Sequence, residues 1–219
     1  TDFNRHGSAM AGHSRYHTRM IPSNEPPAGE EAGFALTLIT SRQNILPRRL
    51  AEPGPDAAQI NDMFRAAAAA PDHGIVRPWR FVLVPQDKRA LLAEAFARAL
   101  QERDATATPE QLDQAREKAF RAPFLVMAIA RLGVCEPDID PLERMVSVGA
   151  AIQNFLLCAH SMGFGSSLTS GQAMRSAPLN QLFQLVQGEQ AVCCINVGTV
   201  IKRKPARLRP DVSEFVSSL

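Results

Sequence analysis

The sequence predicts an α+β fold in one domain of ordinary size, preceded by an extension. Three observations carry that prediction. Residues 124–130 and 191–197 are continuous apolar runs with the length and composition of buried strands. Several stretches place apolar residues at helical spacing, the longest over 141–162. These strands and helices intermingle without a clean βαβ period, which argues against a doubly wound parallel sheet. At 219 residues and 45% hydrophobic composition, the chain holds enough for a sizeable core.

Residues 1–32 differ in texture from the rest. They hold His6, His13 and His17, several Gly, Ser and Pro, and few large apolar side chains, and 24–29 reads as a linker. The three histidines do not form a compact metal motif, so this region is expected to be a solvated tail, with 33–219 as the folded domain. Residues 34–40 suit a short helix that delivers Ser41-Arg42-Gln43-Asn44. Pro47-Arg48-Arg49 and Pro53-Gly54-Pro55 break regular structure. Asp56 fits an N-cap, and Ile60, Met63, Phe64 and Ala67 then mark one buried helical face. A strand over 80–85 comes next, and Leu91, Leu92, Ala95, Phe96 and Ala99 form the next helical stripe. Thr108 caps a polar surface or lid-like helix that has Pro109 at its first position. In the long helix over 141–162, Met145, Val148, Ile152, Phe155, Leu156 and Ala159 face inward, and Gly163 ends it. Residues 166–170 read as a short connecting stretch, 178–185 as a further short helix, and 191–197 as the last strong strand. The tail, 201–219, is basic, proline-containing and too sparse to fold by itself, so it is expected to lie on another surface.

One stretch organises the chain: Ala66 to Ala70, Pro71-Asp72-His73-Gly74, and then Arg77-Pro78-Trp79-Arg80-Phe81. A helix of small residues permits close approach, His73 works on either side of neutral pH, and Pro78 and Trp79 offer a flat apolar wall. This suits the lip of a site for a planar, phosphate-bearing ligand. On this stretch alone, a helix, turn and strand whose alanines merely pack closely is the reading that comes first.

Bulk charge excludes other classes. Lys plus Arg number 24 against 22 Asp plus Glu, a net charge of +2, which gives no ground for nucleic acid or an anionic membrane as partner. Any positive charge that matters must be local, and two clusters stand out: Arg42 with Arg48-Arg49, and Lys202-Arg203-Lys204 with Arg207 and Arg209. Converging guanidinium and ammonium groups are what an anionic phosphate needs, although a solvated charged turn has the same look. The cysteines, Cys135, Cys158, Cys193 and Cys194, lack metal-ligand spacing and read as buried free thiols in a reducing compartment. No apolar run is long enough to span a membrane and the first residues lack the apolar core of a signal peptide, so a cytoplasmic location is the default expectation. The dinucleotide, triphosphate-loop and hydrolase-elbow glycine motifs are all missing from the sequence.

Taken together, Ser41-Arg42-Gln43-Asn44, Pro47 to Pro53, Ala70-Pro71-Asp72-His73 and Arg77-Pro78-Trp79-Arg80-Phe81 resemble the nitroreductase family of FMN proteins, in particular its short-chain, YdjA-like branch. Gly163-Phe164-Gly165, Ser170-Gly171 and Gly198-Thr199 sit in the expected order, and the likeness covers about 35–215. The resemblance implies a central, mostly antiparallel sheet flanked by helices. It also implies an obligate homodimer with FMN at the interface, lined by both chains, and a C-terminal tail exchanged between subunits. Arg42 would grip the FMN phosphate, with Asn44 near the phosphate or ribityl chain and Gln43 in place of a second arginine. His73 would lie near the flavin with Ala69 beside it. Leu168 and Thr169 stand where the branch usually has Trp-Arg, and Ser170 and Gly171 keep backbone amides for the isoalloxazine. Lys202 or Lys204 would add charge near the phosphate.

The activity so implied is ping-pong hydride transfer from NAD(P)H, through flavin N5, to a nitroaromatic or quinone-like acceptor. The chemistry belongs to the cofactor, so no catalytic side chain and no metal are expected. Two alternatives remain open on the sequence. One is a flavin-destroying or dehalogenating enzyme on the same scaffold. The other is a degenerate flavin-binding or interaction protein without turnover, which Gln43, Leu168 and Thr169 would suit.

Overall fold

The two apolar runs pair with each other at the centre of the protein. In the computed structural model, which describes residues 28–203, 205 and 208–219, β3 (Phe124–Arg131) and β5 (Glu189–Val200) are antiparallel, with Phe124 opposite Val197 and Met127 opposite Cys194. β2 (Trp79–Leu83) pairs with the other edge of β3, and two-residue β1 (Leu50–Ala51) pairs with the end of β5. A further strand, β4 (Gly165–Thr169), lies along β5 on the edge opposite β3. All these pairings are antiparallel, so the expected α+β architecture with a mostly antiparallel sheet is what the chain adopts. The expectations placed on 1–27, on Lys204 and on Arg207 lie outside the described residues.

β3 is apolar throughout because both of its faces are covered. Phe124, Val126, Ala128 and Ala130 face α2 (Ala57–Ala68) and α5 (Pro141–Ser161), whereas Leu125, Met127 and Ile129 face α3 (Arg89–Arg103) and α6 (Ala177–Leu182). The period of two along the strand thus splits the core into two layers. On the α5 side, the fully buried Phe155 has the rings of Phe64, Phe81 and Phe124 around it, with centroids 5.3–6.4 Å away. Such contacts add about 0.5–1.5 kcal/mol each beyond area burial.

The caps expected from the sequence are made. Asp56 accepts from Gln59 N while the Gln59 side chain accepts from Asp56 N, and Thr108 and Gln111 do the same at α4 (Pro109–Glu117). The polar helix α4 packs on α3 through buried Ala115, and Arg116 reaches Glu94 across the pair at 3.1 Å. The helix expected over 34–40 is the C-terminal part of α1 (Ala28–Ser41).

Four expectations need correction. Residues 165–169 form a strand rather than a connecting stretch. Leu91 points to solvent, 55% exposed, because α3 buries Leu92, Ala93, Ala95 and Ala99 instead. Pro78 is buried and Trp79 packs against the core, so the wall they were expected to offer a ligand is largely used internally. All four cysteines are free, but only Cys193 and Cys194 are buried; Cys135 and Cys158 are half-buried. Burial pushes the Cys193 and Cys194 thiols up to about 12, which leaves them inert.

Candidate functional site

The segment after α1 is pinned between two elements. Ser41 Oγ lies 2.9 Å from His160 Nε2 on the last turn of α5. Three residues on, Asn44 forms a parallel bridge with Ser166 of β4, and Ile45 N donates to Ser166 O at 2.9 Å. Buried Ile45 and Pro47 anchor the chain on the C-terminal side of that bridge. Arg42, Gln43 and Asn44 are thereby held at the head of β4.

Cations converge there. Arg209 Nη2 donates to Arg42 O at 3.3 Å, bringing the C-terminal tail onto the segment. Burial, and then the Arg209 charge, lower the Arg42 guanidinium from its ordinary value. Burial, and after it the charges of Arg42 and Arg203, lower His160. No carboxylate pairs with Arg42, Arg203 or Arg209 among the described residues. Arg42 Nε and Gln43 Oε1 are buried without a hydrogen-bond partner. A positive cluster with no counter-ion and an orphaned buried donor is the chemistry of an anion site.

β4 leads away from that cluster. Gly165 is required at its start: a Cβ there would lie 2.4 Å from Val200 Cγ2 and 2.9 Å from Leu50 Cδ2. Leu168, Thr169 and Ser170 are exposed, and beyond Ser166 no strand covers the outer edge of β4 among the described residues. From Ser166 to Ser170 the extended chain runs about 13 Å. Buried Asn196 donates through Nδ2 to Thr169 Oγ1 at 3.0 Å and fixes the end of the strand. Gly171 comes next with φ +138°, a conformation that favours glycine, and it is exposed with Ser170 beside it.

Ala69 and His73 lie elsewhere. Ala69 is the C-cap of α2, and His73 Nδ1 hydrogen-bonds Glu143 Oε1 near the start of α5. His160 and Glu143 are separated by 17 residues of one continuous helix, about 25 Å. Within one chain, Arg42, Gln43 and Asn44 therefore lie at the His160 end of α5 and His73 at its Glu143 end, with Ala69 on the helix that precedes His73. β4 carries Ser170 and Gly171 away from the Arg42 end, to a cavity that Met145 near the start of α5 also lines.

Sequence reasoning gave no role to His160, Asn196 or Glu143. Their roles depend on contacts 119, 27 and 70 residues distant, which no local pattern signals. Among the described residues there is no group of three or more His, Cys, Asp or Glu that would hold a metal, and no helix long and apolar enough to cross a membrane.

An antiparallel sheet flanked by helices, with a cationic head on an open-edged strand, defines the class of fold. The chain belongs to the nitroreductase family, whose model matches residues 42–199. It is 29% identical over 188 residues to the Escherichia coli (strain K12) protein named "Putative NAD(P)H nitroreductase YdjA", covering 84% of this chain and 98% of that one. Among solved structures, a nitroreductase-like family protein from Bacillus cereus superposes with a TM-score of 0.73 at 18% identity, covering 84% of this chain and 95% of that one. A mutant of the FMN and NADPH-dependent nitroreductase NfnB, from "sphigopyxis sp. strain HMH", gives a TM-score of 0.65 at 16% identity, covering 84% and 98%.

Proposed function

We propose that this chain is an FMN-dependent NAD(P)H oxidoreductase of nitroreductase type, working as a homodimer with FMN at the subunit interface. The observation that carries the reading is the uncompensated cluster of Arg42, His160, Arg203 and Arg209 at the head of β4, with Arg42 Nε buried and unpartnered. A terminal phosphate fits that donor set. The span along β4 from the cluster to the exposed Ser170 and Gly171 suits a ligand with a phosphate at one end and a ring at the other. The names of NfnB and YdjA support FMN and NAD(P)H use.

When bound, the flavin supplies hydride transfer through N5, between NAD(P)H and a nitroaromatic or quinone-like acceptor, in two half-reactions. The chain's own residues hold it. Arg42 takes the phosphate, Asn44 stands by the phosphate or ribityl chain, and Gln43 offers an amide where a second cation would add charge. Leu168 and Thr169 flank the ring, and the Ser170 and Gly171 amides face it. No side chain needs to act as a general acid or base.

In the homodimer we assign Ala69 and His73 to the partner subunit's FMN; what supports this is that His73 is tied to Glu143, about 25 Å along α5 from the His160 that positions the Arg42 segment of the same chain. The tail supports a dimer: Leu208, Phe215 and Val216 are exposed apolar residues on a segment with few contacts to its own chain. Residues 33–219 form the FMN-binding domain with this arm, and 1–32 precede it as an extension. The four free thiols suit a reducing compartment such as the cytoplasm.

The deciding experiment is an absorbance spectrum of the purified protein before and after anaerobic NADH or NADPH. Flavin bands that bleach on addition establish the first half-reaction. Colourless protein that takes up no added FMN overturns the reading and leaves a degenerate member of the family.

A further inference from the structure

A cavity of about 360 Å³ lies behind β4 and on the other side of the sheet from α5. Its side is fixed by Cys194, which lines it, pairs with Thr169 and belongs to the core layer under α3 and α6. The volume is at the lower end of the range for small-molecule sites. Phe96, Leu100, Leu125 and Met174 supply apolar walls, and the inner end is buried at Leu125 and Cys194. Burial holds the Cys194 thiol protonated, so it adds no charge.

The charged side of this cavity is entirely cationic. Arg103, Lys118 and Arg121 line it, and no Asp or Glu does. Arg103 and Lys118 are exposed, which places them on the solvent side, and neither forms an ion pair among the described residues. Arg121 makes one long contact, Nη2 to Glu117 Oε2 at 3.4 Å, and its Nε is buried without a hydrogen-bond partner. Three like charges over an apolar cleft repel one another unless an anion joins them.

We propose that this cavity binds a small organic carboxylate with an apolar body, of the class of a medium-chain fatty acid. Arg103, Lys118 and Arg121 hold the carboxylate, and the chain lies against Phe96, Leu100 and Met174. A planar carboxylate meets the open guanidinium donors in a way that water at an apolar wall does not. Thr169, Ser170 and Gly171 form part of the wall. On the flavin reading, an occupant touches from behind the segment that faces the ring.

The test is isothermal titration of the purified protein with decanoate, and with decanol as the uncharged match. The expected result is saturable binding of one decanoate per chain, with decanol weaker by about ten-fold or more. Arg103→Gln and Lys118→Gln, both exposed and therefore safe for folding, should each weaken decanoate by about ten-fold and leave decanol unchanged. Equal affinity for the two probes, absence of saturation, or decanoate binding indifferent to both substitutions overturns the proposal. Flavin content, read from the visible bands of the same samples, reports separately on the FMN site.

Discussion

Ser41 Oγ and His160 Nε2 stand 2.9 Å apart, joining the end of α1 to the last turn of α5 across 119 residues of sequence. That contact sets where Arg42 sits. With Arg203 and Arg209 close by and no carboxylate paired to any of them among the described residues, the protein holds repulsive charge together at one place. The sum of local contacts gives this arrangement little reason to persist without an anion, and on the proposed function that anion is the FMN phosphate.

Arg42→Ala should therefore weaken FMN binding. A charge-assisted hydrogen bond is worth about 1.5–3 kcal/mol, or roughly ten- to 150-fold in affinity. The quenching of FMN fluorescence on titration measures it directly. An unchanged affinity would remove Arg42 from the site. Apo-protein stability should stay level or rise, since the variant relieves repulsion with Arg209.

His160 makes stability depend on pH. Burial and two neighbouring guanidinium groups lower its folded value below the ordinary 6.5. Between the folded and unfolded values the unfolded chain binds more proton, so stability rises with pH in that window. The contribution is present above about 6.5 and lost as pH falls through the folded value. Urea midpoints of the apo protein from pH 7.5 to 5 (roughly the histidine range) should fall, and fall less for His160→Gln. Parallel curves for the two proteins would show that His160 does not titrate as described.

Much of the framework was legible because its signals are local. Asp56 with Gln59 and Thr108 with Gln111 are capping boxes within four residues, and the runs at 124–130 and 191–197 announce strands covered on both faces. β4 was not legible: Gly-Ser-Ser-Leu-Thr has no apolar period, and its strand character comes from lying along β5. Leu91 misled because α3 is alanine-rich around its circumference, so two faces fit a stripe about equally well. Within the candidate site, Arg42 and His73 stood out by motif. Their separation along α5 and the neighbours that fix them, His160 and Glu143, emerge only from the tertiary fold.

Arg89 supports a structural prediction independent of any ligand. It is 1% exposed, and its guanidinium donates to Val84 O at 2.7 Å, Ala119 O at 2.7 Å, Ala122 O at 3.2 Å and Pro123 O at 3.1 Å. One side chain thus satisfies the turn that succeeds α4 and the entry to β3. Arg89→Ala leaves those carbonyls unmet around a cavity and should cost about 3–5 kcal/mol in urea unfolding. Arg89→Lys should recover only part, since one ammonium cannot span four acceptors held in a fork geometry. A loss below about 1 kcal/mol would mean that water replaces the guanidinium without strain.

The placement of Arg42 and His73 gives a test of how many chains build one site. Each residue sits by its own end of α5, whose anchoring residues His160 and Glu143 are about 25 Å apart in one protomer. If the site is shared, Arg42 of one subunit and His73 of the other serve the same FMN. Arg42→Ala and His73→Ala homodimers each damage both of their sites. In a dimer formed from one chain of each kind, the two substitutions fall together in one site and leave the other intact. Random mixing gives about half mixed dimers in a two-fold assembly, so about a quarter of all sites regain wild-type FMN affinity. Sites contained within single chains would each keep one defect, and mixing would restore nothing. Subunits exchanged by mild denaturation and refolding, then titrated with FMN, distinguish the two cases, because the recovered high-affinity fraction reads the architecture directly.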